Sequence, residues 1–190
     1  MAIGKRKQAF SNYKLKALKI VNKIKDQKTQ KDINLMPSGF QIKEKNSDGK
    51  WDNLPGIEYQ VSGDLYKIVL DKGEYNGSEY DIIKLFMVDN DVKESYVLDM
   101  RMGIASRSIS NSIINLEDYN DISISFYKKE VDGKAYSNVA VRQKETLIKG
   151  KFLNKDLPEV EIVKNSKGEI VKRDYKEIDN FYLNHLKVLS

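Results

Sequence analysis

The spacing of apolar residues changes twice between residues 94 and 142, and this constrains the fold more than any other feature. Alternation over residues 94–102 predicts a half-buried strand that ends at Gly103. From Ile104 to Leu116 apolar residues recur at helical spacing, which predicts a helix of about three turns. Alternation returns at Ile122, and Asp132-Gly133 predicts the turn of a hairpin that ends at Arg142. The segment therefore reads strand, helix and hairpin.

Two further strands precede this segment. Alternating runs at residues 61–70 and 80–88 predict a first hairpin, with Lys72 and Tyr75 on the loop between its strands. Three strands, a helix and a hairpin follow the order of an OB barrel, whose helix lies between strands three and four. The sequence thus predicts a mainly β fold with α extensions, centred on a five-stranded OB-type barrel over residues 61–157.

The segments outside the barrel differ in charge. Residues 1–31 contain ten Lys or Arg and one Asp, a net charge of +9, so the other residues carry −4 of the total of +5. Apolar residues from Phe10 to Ile24 recur at helical spacing and predict a basic amphipathic helical arm. Alternation at residues 13–17 is also compatible with a strand, which is the alternative prediction. Residues 32–60 are rich in turn residues and predict a linker with one short strand, Phe40 to Lys45. Residues 158–190 predict a hairpin and a C-terminal helix.

The composition disfavours an enzyme. There is no cysteine and one histidine, His185, so common nucleophile, triad and metal chemistries lack their residues. We expect no catalytic residue, no metal site and no cofactor, and we interpret Asp89, Asp91 and Glu94 as an acidic hairpin turn. No apolar run approaches the roughly 18 residues of a membrane span, so we expect no membrane partner and a cytoplasmic location.

Aromatic and basic residues are interleaved on the predicted barrel, a pattern typical of single-strand binding, in which bases stack on rings and cations follow the phosphates. Tyr80, Phe86, Tyr127 and Tyr136 are the predicted stacking residues. The predicted phosphate contacts are Lys84, Arg101, Lys128, Lys129, Lys134 and Arg142, with Lys14, Lys16, Lys19 and Lys23 of the basic arm. Trp51 is a secondary candidate for base stacking, and packing on the barrel is its alternative role.

Several segments between residues 62 and 155 also resemble a known family, the OB-fold single-stranded-DNA-binding proteins of large tailed bacteriophages, especially the crAss-like group. These segments are SGDL at 62–65, YVL at 96–98, ASRSI at 105–109, NSIINL at 111–116, ISISFYKK at 122–129, DGK at 132–134 and VRQ at 141–143. The resemblance implies sequence-tolerant binding of single-stranded DNA in phage replication, recombination or repair, in the host cytoplasm.

Three questions stay open at this point. The strand bound could be RNA instead of DNA, and the protein could also associate with itself or with a replication protein. The basic arm could bind phosphates or brace the barrel with its apolar stripe. The alternative function is a structural or virion-packaged phage protein that uses the barrel and the basic helix as a protein-interaction module.

Overall fold

The computed structural model of the chain describes residues 14–22, 38–132 and 134–190. Strands and helices are numbered in chain order. They are β1 (Lys14–Asn22), β2 (Ser38–Lys45), β3 (Trp51–Asn53), β4 (Gln60–Tyr75), β5 (Ser78–Asp89), β6 (Glu94–Arg101), α1 (Ile104–Ile113), β7 (Ile122–Val131), β8 (Lys134–Gln143), β9 (Thr146–Leu147), β10 (Glu161–Lys164), β11 (Ile170–Asp174) and α2 (Lys176–Lys187).

Nine of the strands form one mixed sheet in the order β3-β2-β1-β6-β5-β4-β7-β8-β9. The predicted five-stranded OB barrel is therefore wrong, because the sheet is open and ends at β3 on one side and at β9 on the other. A closed barrel needs its first and last strands to pair, whereas here β1 occupies the edge of β6 in parallel. Both edge strands are short, at three and two residues, which limits the unpaired backbone that they present.

The predicted sequence of elements within residues 60–143 is present even though the barrel is not. β4, β5 and β6 form an antiparallel meander, α1 follows β6, and β7 pairs with both β8 and the start of β4. The loop predicted at residues 71–79 is shorter than expected. Strands β4 and β5 continue to a two-residue turn at Asn76 and Gly77, where φ is 51° and 74°, as the twist of a hairpin requires.

The basic arm is a strand where the structure describes it, so the predicted helix is wrong over Lys14–Asn22. β1 pairs in parallel with β6 and antiparallel with β2. Leu18 is 1% exposed and lies in the core, whereas its neighbour Lys19 is exposed. As a strand, this segment buries Leu18 and covers the edge of β6. Both contributions to stability depend on neighbouring strands, so the local helical spacing does not reveal them. The rest of the predicted arm, residues 1–13 and 23–31, lies outside the described residues.

The segment predicted as a linker contributes to the core. β2 contains the predicted short strand, and its Phe40 is fully buried. The Phe40 ring lies 5.0 Å from the ring of Phe126 in β7, although five strand positions separate β2 from β7 in the sheet order. The sheet must therefore curl strongly around a shared core. Residues 38–60 belong to the folded unit, and residues 32–37 lie outside the described part of the chain.

The core lies between the curled sheet and the helices. Its buried apolar side chains come from seven strands and both helices, namely Leu18, Phe40, Val61, Leu65, Ile68, Ile83, Leu85, Met87, Leu98, Met100, Ile109, Ile113, Ile122, Ile124, Phe126, Val141 and Leu186. A bulge in β4 after Leu65 shifts the alternation, so that Leu65 and Ile68 both point inward. The bulge places Tyr66 and Lys67 on the outside, next to β5.

The C-terminal hairpin and helix agree with their predictions. β10 and β11 form a separate two-stranded sheet, and α2 packs on α1. The Arg107 guanidinium donates hydrogen bonds to both carboxylate oxygens of Asp179, at 2.6 and 3.2 Å, and stacks on Tyr175 at 4.4 Å. The His185 ring contacts the rings of Phe152 and Phe181, which also contact each other, and its Nδ1 lies 2.8 Å from the Phe181 carbonyl oxygen. This histidine has a packing role.

Candidate nucleic-acid interface

The outer face of the sheet brings together predicted site residues from three strands. Directly paired residues of neighbouring strands share a face, and the outward positions alternate with the core positions Ile83, Leu85, Leu98 and Met100. Lys19 of β1 pairs with Asp99 of β6, and Asp99 pairs in turn with Lys84 of β5. Arg101 pairs with Ile82 in the next outward row, beyond which lies Tyr80.

A groove of about 240 Å³ crosses this face between β2 and β5. Its outward-facing lining residues, here called the groove residues, are Ala17, Lys19, Lys43, Tyr80, Ile82, Asp99 and Arg101. Three cations and one carboxylate give these residues a net charge of +2. An open groove with a positive lining attracts polyanions, and Lys19 and Arg101 are exposed enough to meet them.

The Tyr80 ring supports Arg101 and does not present a bare face for a base. The Arg101 guanidinium lies 4.2 Å from the ring centroid of Tyr80. The ring also lies against Gly73 of β4, where an added Cβ would be 2.5 Å from a ring carbon. Tyr80 therefore fills the space between the β4 backbone and Arg101. The stacking role of Tyr80 stays a prediction, and the structure shows its ring engaged by the Arg101 guanidinium, which can itself stack on a base.

Phe86 and Lys84 are likewise engaged within the protein. The Lys67 ammonium lies 5.7 Å from the Phe86 ring centroid, and the Tyr66 ring contacts the Phe86 ring edge-on at 6.0 Å. Lys84 forms an ion pair with Asp71 at 2.5 Å, and this hydrogen bond raises the pKa of the Lys84 ammonium. The partner carboxylate offsets the charge of Lys84, so we rank Lys84 below Lys19 and Lys43 as a phosphate contact.

Asp99 is the acidic residue of the groove. Burial raises the pKa of its carboxyl group, and the nearby Lys84 opposes that shift only in part. Its Oδ1 atom is buried and has no hydrogen-bond partner among the residues that the structure describes. Lys84, which faces Asp99 across the strand pair, is bonded to Asp71 instead.

The hairpin of β7 and β8 carries a second, separate patch. Tyr127 and Tyr136 are 45% and 50% exposed, and Lys129 is the cross-strand partner of Tyr136 on the same face. We call Tyr127, Lys129 and Tyr136 the hairpin patch. Because β4 lies between β5 and β7, the sheet does not merge this patch with the groove. Its two rings are exposed and remain suited to stacking.

The other predicted hairpin residues do not join this patch directly. Lys128 lies on the opposite face of β7 and forms an ion pair with Glu130 at 2.5 Å. The Arg142 guanidinium donates a hydrogen bond to the Ser125 hydroxyl at 3.0 Å, well back along the hairpin. Lys134 pairs with Val131 next to the turn, and its side chain lies outside the described part. The predictions for Lys128 and Arg142 as direct phosphate contacts are therefore weakened.

Of the predicted lysines of the basic arm whose side chains the structure describes, Lys19 lines the groove. Lys16 points to the other face and is bonded to Glu94. Lys14 pairs in register with Glu94 but its side chain is outside the described part, as is all of Lys23. Trp51 lies on β3 at the edge of the outer face, 39% exposed, with the Lys45 ammonium 5.5 Å from its ring.

Sequence reasoning missed Lys43. The signal was present, because Gln41, Lys43 and Lys45 alternate with the apolar Phe40 and Ile42 in the short strand that was predicted. Because residues 32–60 were interpreted as a linker, Lys43 was not considered as part of the sheet. Lys43 pairs with Ala17 of β1, and both line the groove.

Other chemistries have little support in the described residues. Asp89 accepts backbone hydrogen bonds from Asp91 and Val92 at 3.0 and 3.2 Å, as expected of an acidic turn. No group of three His, Asp or Glu side chains suited to a metal occurs in residues 14–22, 38–132 and 134–190. No helix in the described part is long and apolar enough to cross a membrane.

Comparisons with protein-family models, with curated proteins and with solved structures find no match to this chain. The resemblance to single-stranded-DNA-binding proteins of crAss-like phages therefore stays a prediction, together with the phage role that it implies.

Proposed function

We propose that this protein binds single-stranded nucleic acid without sequence specificity, with phosphates held in the groove and bases stacked nearby. The observation that supports this best is the placement of Arg101 on the Tyr80 ring beside Lys19 and Lys43. A guanidinium held in place by a ring loses little conformational freedom on binding, and its planar donors suit phosphate oxygens.

The exposed rings favour single strands over a duplex. Tyr127 and Tyr136 can stack only on bases that have left the helical stack, and Lys129 lies beside Tyr136 to meet a phosphate. Stacking contributes about 1–3 kcal/mol per base and tolerates any base. The proposed ligand is single-stranded DNA, with single-stranded RNA as the alternative. The proposed location is the cytoplasm.

Fluorescence anisotropy with a labelled oligo-dT strand tests the proposal. We expect binding at micromolar protein or below in low salt, and a steep loss of affinity as salt is added. The salt slope is the change in the logarithm of the binding constant with the logarithm of the salt concentration. Each phosphate that the protein neutralises on a single strand contributes about −0.7 to this slope, so Lys19→Ala with Lys43→Ala should reduce the magnitude of the slope by about 1.4.

Lys149→Ala with Lys151→Ala is the matched control, because it removes the same charge from exposed lysines outside the groove. Equal effects of the two double variants on the salt slope would show that only net charge matters and would refute the groove as the phosphate-binding site. An oligo-U strand in parallel separates DNA from RNA, and absence of binding to either strand would refute the proposed function.

A further inference from the structure

The groove contains a carboxylate at the position where a bound phosphate chain would be most repelled. Asp99 lies in the middle outward row, between its cross-strand partners Lys19 and Lys84. Two further cations line the groove, Lys43 on β2 and Arg101 two residues along β6 from Asp99. An anionic ligand drawn in by these cations therefore comes close to an ionised Asp99.

The surroundings of Asp99 stabilise its charge poorly. From β1 and β2 it faces Lys19 and Lys43, but neither ammonium forms an ion pair with it in the described residues. From β5 it faces Lys84, whose ammonium is held by Asp71 of β4, and Tyr80 lines the groove farther along the same strand. Burial raises the pKa of the Asp99 carboxyl group, and the like charge of Asp71 adds to that shift.

We propose that the groove binds a polyanionic strand together with one proton, which the Asp99 carboxylate takes up. This inference rests on the proposed function and names a regulation of the same site. A phosphate in the groove adds negative charge near Asp99 and removes water from it, and both effects favour the neutral acid. By linkage, the strand must then bind more tightly to the protonated protein than to the ionised protein.

The linkage predicts a defined pH profile. Affinity is constant at high pH. It rises as the pH falls from the pKa of Asp99 in the complex to the pKa of Asp99 in the free protein, and it is constant again at lower pH. Each unit by which binding raises the pKa of this carboxyl group gives about a tenfold gain in affinity. Asp99→Asn resembles the protonated form, so it should bind tightly at every pH.

The experiment measures the Kd of an oligo-dT strand by anisotropy from about pH 8 to about pH 5 at constant ionic strength, for the wild type and for Asp99→Asn. Thymine suits this test because it carries no group that takes up a proton in this range. We expect the wild type to gain about tenfold or more in affinity relative to Asp99→Asn as the pH falls. The control is Glu117→Gln, which removes an exposed acid outside the groove and should keep the wild-type pH dependence.

A direct readout is the carboxyl carbon resonance of Asp99, assigned by comparison with Asp99→Asn and titrated with and without oligo-dT. The inference predicts a higher pKa of Asp99 in the complex. Parallel Kd profiles for the wild type and Asp99→Asn, or an Asp99 titration that oligo-dT leaves unchanged, would overturn proton uptake while leaving single-strand binding intact. Absence of binding for both proteins at all pH values would overturn the proposed function as well.

Discussion

Truncation of Phe40 to alanine tests whether the N-terminal strands belong to the core. Phe40 is fully buried in β2 and packs on Phe126 with ring centroids 5.0 Å apart. Residues 32–60 read as a linker in the sequence, and a linker phenylalanine could be removed at little cost. The structure predicts a large cost, because the substitution leaves a cavity between strands that are distant in the sheet.

Removal of a buried phenylalanine typically costs about 3–5 kcal/mol, and loss of the ring pair places Phe40→Ala in that range. For a chain of this size, each kcal/mol lowers the melting temperature by about 2–4 °C, so we expect a loss of about 6–20 °C. Urea unfolding followed by circular dichroism measures the free energy of unfolding directly.

Trp51→Ala is the matched control, because it removes a larger ring from β3 that is 39% exposed. We expect it to cost under about 1 kcal/mol, as is usual for partly exposed surface positions. If Phe40→Ala does not fold, Phe40→Leu retains most of the volume and should give a smaller, measurable loss. Equal, small costs for Phe40→Ala and Trp51→Ala would refute the assignment of β2 to the core.

Three further predictions follow from the described contacts. Arg107→Ala removes the charged hydrogen bonds to Asp179 that join the two helices and should cost about 1.5–3 kcal/mol in urea unfolding, whereas an unchanged stability would show that the pair contributes nothing. Tyr80→Leu removes the support of Arg101 but no charge, so anisotropy should show about two- to fivefold weaker oligo-dT binding with the salt slope unchanged, and a changed slope would contradict this role. Burial raises the folded-state pKa of Asp99 above its unfolded value, so ionisation of Asp99 destabilises the fold as the pH rises. Asp99→Asn should therefore stabilise the protein more at about pH 7 than at about pH 4, and an equal effect at both values would contradict the burial argument.

The local elements of residues 60–143 could be predicted because their patterns are set by burial on one face. Ile83, Leu85 and Met87 recur at every second position and lie in the core as the pattern requires, although the residues between them include the apolar Ile82 and Phe86. Which strands pair across the sheet could not be predicted in the same way. An edge of β6 that is covered by β1 looks the same in the sequence as an edge that closes a barrel.

The basic arm shows why the local pattern failed. Ala17, Ile20 and Val21 fit a helical stripe as well as they fit a strand, and a strand is favoured once β2 and β6 lie on either side. The presence of β1 in the sheet also limits what a truncation of the basic arm can test. Deletion of residues 1–31 would remove β1 and the buried Leu18 with the lysines, so it could not separate phosphate binding from stability.

The residue types of the candidate site could be predicted from the sequence better than the contacts that each side chain makes. Tyr80 and Arg101 share a face, as expected, but the sequence could not show that Arg101 stacks on Tyr80 or that Asp71 engages Lys84. Such pairings depend on side-chain conformations across strands. Tyr127 and Tyr136 keep the predicted stacking role because nothing in the strand register assigns them another.

Ultraviolet cross-linking of the protein to an oligo-dT strand, with the attached peptides identified by mass spectrometry, tests the location of binding most directly. We expect cross-links in peptides from the groove, at Tyr80 or Lys43, and in the hairpin patch, at Tyr127 or Tyr136. Lys19→Ala with Lys43→Ala should reduce these cross-links, whereas Lys149→Ala with Lys151→Ala should preserve them. Cross-links confined to β10, β11 or α2, or unchanged in the groove variant, would contradict binding on the outer face of the sheet.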